Sequence, residues 1–181
     1  MNRTRRATLA GLLVALTVAA GFALAGVPNV ELVTLLIFTS GFLLGPRLGP
    51  VVGAVSWGLF SGLNPMGAAV PPVLAAQIAS GALVGLAGGV LGPILLKLPV
   101  RWVSMLLCTV TGFLLTLVFQ ATVTAAAFVT FADDRAAGAF WAFMVGGIVF
   151  TFTHLLWNTA VFLLTLRPLL SVLDRYRLEL R

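Results

Sequence analysis

Long apolar runs alternate with short polar or proline- and glycine-containing breaks along this chain. The pattern predicts helices over Ala7–Ala25, Val30–Leu44, Leu48–Leu63, Val73–Leu96, Trp102–Phe131 and Ala139–Leu166. The breaks carry their own chemistry. Gly45-Pro46 stops the second helix, Asn64-Pro65-Met66-Gly67 and Pro71-Pro72 bound a loop, and Lys97, Pro99 and Arg101 form a turn. Asp133, Asp134 and Arg135 mark a further polar loop. Most of these runs reach the roughly 20 residues that cross a bilayer. The second is shorter, about 22 Å at 1.5 Å per residue. The expectation is an all-α membrane protein, a bundle of six transmembrane helices forming one domain over residues 1–181. The tail, 167–181, mixes Leu and Val with Arg175, Arg177 and Arg181, and is expected to lie along the membrane surface as an amphipathic helix.

Composition agrees with the pattern. Sixty per cent of the residues are hydrophobic and nine per cent charged, against about 25% charged in soluble domains. Eleven basic residues face five acidic ones. In a soluble chain that excess would raise nucleic acid as a partner; here it reads as topology. Six spans put Arg3, Arg5, Arg6, Arg47, Lys97, Arg101, Arg167, Arg175, Arg177 and Arg181 on one side and Arg135 alone on the other. The positive-inside rule then makes both termini cytoplasmic, in a plasma-membrane protein without a nucleic-acid partner. The basic start and Ala23-Leu24-Ala25 imitate a signal peptide, but the run between them is long enough to span, and retention is expected. Cys108 is the only cysteine and His154 the only histidine. Neither a disulfide nor a metal centre is expected from that set, and no cofactor.

Glu31 stands just inside an apolar stretch, VPNVELVTLLIFTSGFLLG. A carboxylate entering a bilayer costs a few kcal/mol and by default marks a functional site. Counting residues along the helices places Asn29 and Glu31, Trp57 and Asn64, Gln77, and Gln120 in the outer half, contributed by helices two to five. Taken singly, Gln77 or Gln120 is equally well explained by a bond to a neighbouring helix. As a set with Glu31, they predict a pocket for a small polar solute, with Trp57, Trp141 and Phe140 available to stack on a ring. His154 and Asn158 lie four apart on one helix face, near or below the midplane by the same count, with no carboxylate evident at that depth. They are expected to be an interhelical hydrogen-bonding pair. Ala7, Gly11, Ala15 and Ala19 form a small-residue stripe, a surface for close helix approach either within the bundle or to a partner.

With these features in order, the chain resembles the substrate-binding membrane subunit, or S component, of an energy-coupling factor (ECF) transporter. The resemblance is carried by the basic start with its Ala7-Gly11-Ala15-Ala19 ladder, VPNVELVTLLIFTSGFLLGPRLG, WGLFSGLNPMG before a proline-containing loop, and HLLWNTAVFLL with a basic tail. It implies high-affinity binding and uptake of a vitamin or related micronutrient in an outward-facing pocket. It also implies a transmembrane coupling subunit docked on the helix-one stripe, and two cytoplasmic ATPases. The glycine at position 11 departs from the family's all-alanine ladder. No GxxxxGK[ST] loop is present, so ATP hydrolysis is assigned to partners and the chain itself is not expected to be an enzyme.

Two rivals remain. A secondary transporter working alone would use Glu31 to carry a proton, against the lack of an internal repeat and of broken helices. An intramembrane serine protease would pair Ser61 with His154, but Gly58-Leu59-Phe60-Ser61-Gly62 is not a GxSG motif and the two residues differ in depth by several turns.

Overall fold

The computed structural model describes residues 3–132 and 136–179. The predicted loop Asp133, Asp134 and Arg135, and the terminal Arg181, lie outside the described residues, as does the side chain of Arg177. The described chain is helical throughout, in the order α1 (Arg3–Leu24), α2 (Val33–Leu44), α3 (Gly49–Gly62), α4 (Pro71–Lys97), α5 (Arg101–Phe131), α6 (Ala137–Gly146), α7 (Ile148–Val161) and α8 (Arg167–Glu179). Residues Phe162–Leu166 form a π-helical turn joining α7 to α8.

Among the described residues, four helical stretches are long and apolar enough to cross a membrane: α1, α4, α5 and the continuous rod Ile148–Tyr176. At 12 residues, α2 is about 18 Å long and falls short of a bilayer core of about 30 Å. It is instead the most enclosed helix, with Val33, Ile37, Phe38 and Phe42 fully buried. Glycines set how closely its neighbours approach. A Cβ built at Gly53 would overlap the carbonyl of Gly81, one at Gly85 the carbonyl of Gly49, and one at Gly41 that of Gly85. Thus α2, α3 and α4 touch backbone to backbone, and the glycines of α4 serve internal packing. α1 packs on α2 and α3, α5 on α4 and α7, and α6 on α5 and α7.

Three predicted features are corrected. The second helix begins at Val33 rather than Val30, which leaves Glu31 ahead of its first turn. The sixth helix is broken: α6 ends at Gly146, Gly147 adopts φ −91° and ψ 1°, and α7 starts afresh at Ile148. Two successive glycines supply the weak point, because each lacks the side chain that would favour helix over coil. The tail is not a separate surface helix. It continues α7 through the π-turn and packs on α2 and α4, with Leu166 and Leu170 fully buried.

Among the described residues, Arg6, Arg47, Lys97 and Arg101 gather at one end of the bundle. Arg6 Nη2 donates to the Leu44 carbonyl at 2.9 Å, tying the start of α1 to the end of α2. Gly89 of α4 abuts Gly45 and Pro46 beside Arg47, and the Ser104 hydroxyl donates to Leu95 O at 2.6 Å, bringing the Lys97–Arg101 turn to the same end.

Candidate functional site

At the opposite end a cavity of about 280 Å³ opens between α1, α3, α4, α5, α7 and the α1–α2 loop. Asn29, Glu31, Trp57, Asn64, Gln77 and Gln120 all line it. Trp141 does not: on α6, beyond the break, it is exposed and faces a separate surface groove with Val145 and Ile148. The cause lies in α6 itself, where Phe128 of α5 receives Phe140 and Phe143 in edge-to-face contacts at 5.1 and 5.7 Å and leaves Trp141 on the outer side.

Glu31 forms the centre of the polar wall. One carboxylate oxygen, Oε2, accepts the Thr34 amide at 2.8 Å and so satisfies one of the open N–H groups in the first turn of α2. The other, Oε1, accepts Asn158 Nδ2 at 2.7 Å and lies 3.4 Å from His154 Nε2. The Glu31 backbone carbonyl accepts the Trp157 indole N–H at 2.7 Å. His154 Nδ1 lies 3.1 Å from Gln120 Oε1, and Gln120 Nε2 donates to Thr151 Oγ1 at 3.1 Å. A carboxylate, an imidazole and two amides from three separate parts of the chain therefore form one continuous network.

This overturns the expected place of His154 and Asn158. They do hydrogen-bond to other elements, but to the very carboxylate thought absent at their depth. The break at Gly147 is the reason: His154 is only two turns from the start of α7, not midway down one long helix. Phe60, Met66 and Phe119 line the cavity outside the predicted set, and on α7 His154 lines it too while Trp157 and Asn158 hold Glu31. Their spacing, i, i+3 and i+4 on an otherwise apolar helix, is the signal that marks a shared face.

The opposite wall is aromatic. Phe60 packs edge-on to Trp57 at 5.6 Å, Trp57 leans on Phe119 at 4.6 Å, and Phe119 meets the His154 ring edge-on at 5.5 Å. Trp57 Nε1 and Gln77 Oε1, one donor and one acceptor, are buried without a hydrogen-bond partner among the described residues. Asn64 shapes the α3–α4 turn, its Oδ1 accepting the Met66 amide at 2.9 Å. Asn29 has a left-handed backbone, φ 59°, and its Nδ2 donates to the Phe150 carbonyl at 2.9 Å, tying the α1–α2 loop to the first turn of α7.

Both ring nitrogens of His154 are occupied by Glu31 and Gln120, so the ring is not directed at Ser61. Among the described residues no three His, Cys, Asp or Glu side chains come together as a metal site would require. On α1, Ala7, Gly11, Ala15 and Ala19 are all exposed, and a Cβ at Gly11 would meet nothing within 4 Å. The described residues thus leave the stripe largely uncovered. No family model, curated protein or solved structure matches the chain.

Proposed function

We propose that the chain is the substrate-binding subunit of an ECF-type importer, taking up a vitamin or related micronutrient across the plasma membrane with both termini in the cytoplasm. One observation carries this reading. Six of the seven side chains picked out for a solute pocket meet in one cavity, at the end of the bundle away from the basic residues. The cavity pairs an aromatic wall with a fixed polar one, the composition of small-molecule sites. The exposed stripe on α1 supports docking to a membrane coupling subunit, which with two ATPases would supply the energy.

Native mass spectrometry of the purified protein tests the reading directly. A small molecule carried through purification, and displaced by titration with the same compound, is the expected result. A protein that carries nothing and binds no vitamin-like compound would end it. Gly11→Leu should leave solute binding unchanged while a pull-down no longer recovers the coupling subunit. Recovery of the whole complex by that variant would remove the stripe from the docking surface.

A second reading is favoured by two observations: the ionisable pair Glu31–His154 within the bundle and the broken helix at Gly147. Both features occur in proton-coupled secondary transporters. Uptake into vesicles by this chain alone, driven by a pH gradient without ATP, would select that reading over the first.

A further inference from the structure

A second hollow of about 330 Å³ lies beside the first, between α5 and the α6–α7 break. Its own walls are Thr124 and Ala127 of α5, Phe143 and Met144 of α6, and Phe150 and Thr151 around the start of α7. The two hollows share Pro28, Asn29, Gln120 and Val123. The partition between them is therefore made partly of two amide side chains. Asn29 reaches across it to the Phe150 carbonyl, and Gln120 touches His154 on one side and Thr151 on the other.

The chambers differ in charge. The first holds Glu31 and His154; among the described residues no ionisable side chain lines the second. A charged group placed in the second would lose hydration without gaining a counter-ion, whereas an uncharged group would not. Asn29, Gln120 and Thr151 already have partners in the protein, but the Thr124 hydroxyl sets the second hollow apart from a plain acyl-chain groove, because a hydrocarbon chain would cover it without pairing it. Each volume lies near the lower end of ligand-pocket sizes, roughly 300–1,000 Å³.

We propose that the second chamber receives the uncharged half of a two-part solute, whose hydrogen-bonding head lies in the first chamber. The inference rests on the solute-binding reading above and narrows it. The cargo is a hydrogen-bonding ring system linked to a neutral arm or second ring, not a single small ring. Gln120 and Asn29 contact the linkage, and Ala127 sets how much of the arm is accommodated.

The test compares matched probes on detergent-purified protein: riboflavin with lumichrome, methyl pteroate with pterin, and biotinamide with 2-imidazolidone. Pyridoxine serves as a single-ring compound. In the expected result one parent compound binds the wild type at least tenfold more tightly than its head fragment. Ala127→Phe, which fills only the second chamber, abolishes that difference and leaves the fragment's affinity unchanged. Thr124→Leu, a milder filling, guards against loss of fold and should shrink the difference. Head fragment or pyridoxine bound as tightly as any parent overturns the inference while leaving the carrier intact. A difference that persists in both filled variants overturns it equally. Should the wild type bind no probe but carry another molecule, that molecule's retention by folded Ala127→Phe overturns the inference and its loss supports it. A wild type that binds and carries nothing sinks the solute-binding reading itself, and this inference with it.

Discussion

The α2–α3–α4 side of the molecule and the α5–α6–α7 side are built on different principles. On the first, glycine meets glycine, and the backbones of three helices touch at Gly41, Gly49, Gly53, Gly81 and Gly85. On the second, large side chains keep the helices apart. Phe128 spaces α6 from α5, Phe150 and Phe152 remain exposed, and the helix is interrupted at Gly147. Both chambers are walled in part by the looser side, and the smaller one also leans on Trp57 and Gln77 of the tighter side. The contrast teaches that hollow space here is created by withholding close packing from one set of helices while the other set acts as the fixed wall.

The comparison can be broken first at its tightest point. Gly85→Val should destabilise the fold by about 3 kcal/mol or more, since both the new side chain and the Gly49 carbonyl are held by helices that have nowhere to shift. Gly146→Ala, where a Cβ meets nothing within 4 Å, is the control on the loose side and should melt no lower than the wild type, since alanine favours the helix that glycine weakens. Thermal unfolding in detergent reads both, and equal melting would erase the distinction between the two sides.

Glu31→Gln is the next largest effect expected. It replaces a carboxylate that accepts from Thr34, Asn158 and His154 with an amide that presents a donor to one of them. Solute affinity should fall at least tenfold, about 1.4 kcal/mol. The melting temperature should fall with it, because the protein's own donors already occupy both oxygens. Lost affinity at unchanged melting would mean that the carboxylate meets the solute directly. Unchanged affinity would remove it from the site.

A smaller effect is expected at Asn29. Asn29→Ala loses the bond to Phe150, worth about 1 kcal/mol, and puts alanine at φ 59°. Asn29→Gly loses the same bond without the backbone penalty, though glycine's freedom in the unfolded chain subtracts from the gain. Alanine should therefore be the less stable of the two by thermal melting. The reverse order would show that loop strain is not held by this side chain. The least effect belongs to Trp141→Ala, for which solute affinity should change less than twofold by titration, because the indole stands outside both chambers.

Much of the architecture can be read from hydropathy and punctuation, because apolar length and Pro/Gly breaks act locally. Pro71-Pro72 starts α4, Gly45-Pro46 ends α2, and Lys97–Arg101 separates α4 from α5. The break at Gly147 escapes that reading. The surrounding AFMVGGIVF is apolar on both sides, so hydropathy runs through it unbroken. Depths counted from the wrong origin then carried His154 inward, away from Glu31, while Trp141 is kept out of the pocket by the packing of Phe140 and Phe143 on Phe128. The tail misled for a related reason. Its alternation of Leu and Arg fits a membrane surface, but it also fits a helix that buries Leu166 and Leu170 against α2 and α4. Glu31, Asn64 and Gln77 were legible because polar side chains within or beside apolar stretches are few and each needs a destination.

The ties between Glu31 and α7 also set an order for biosynthesis. Asn158 and His154 lie 127 and 123 residues downstream of the carboxylate they hold. At ribosomal speeds of about 5–20 residues per second, their codons are translated roughly 6–25 s later. Through that interval the nascent chain carries an acidic side chain just ahead of a helix too short to span a bilayer, and its partners on α7 do not yet exist. The helix that carries His154 and Asn158 is therefore the one that completes the polar network, and until it is made the acid has only the neighbouring Thr34 amide to pair with.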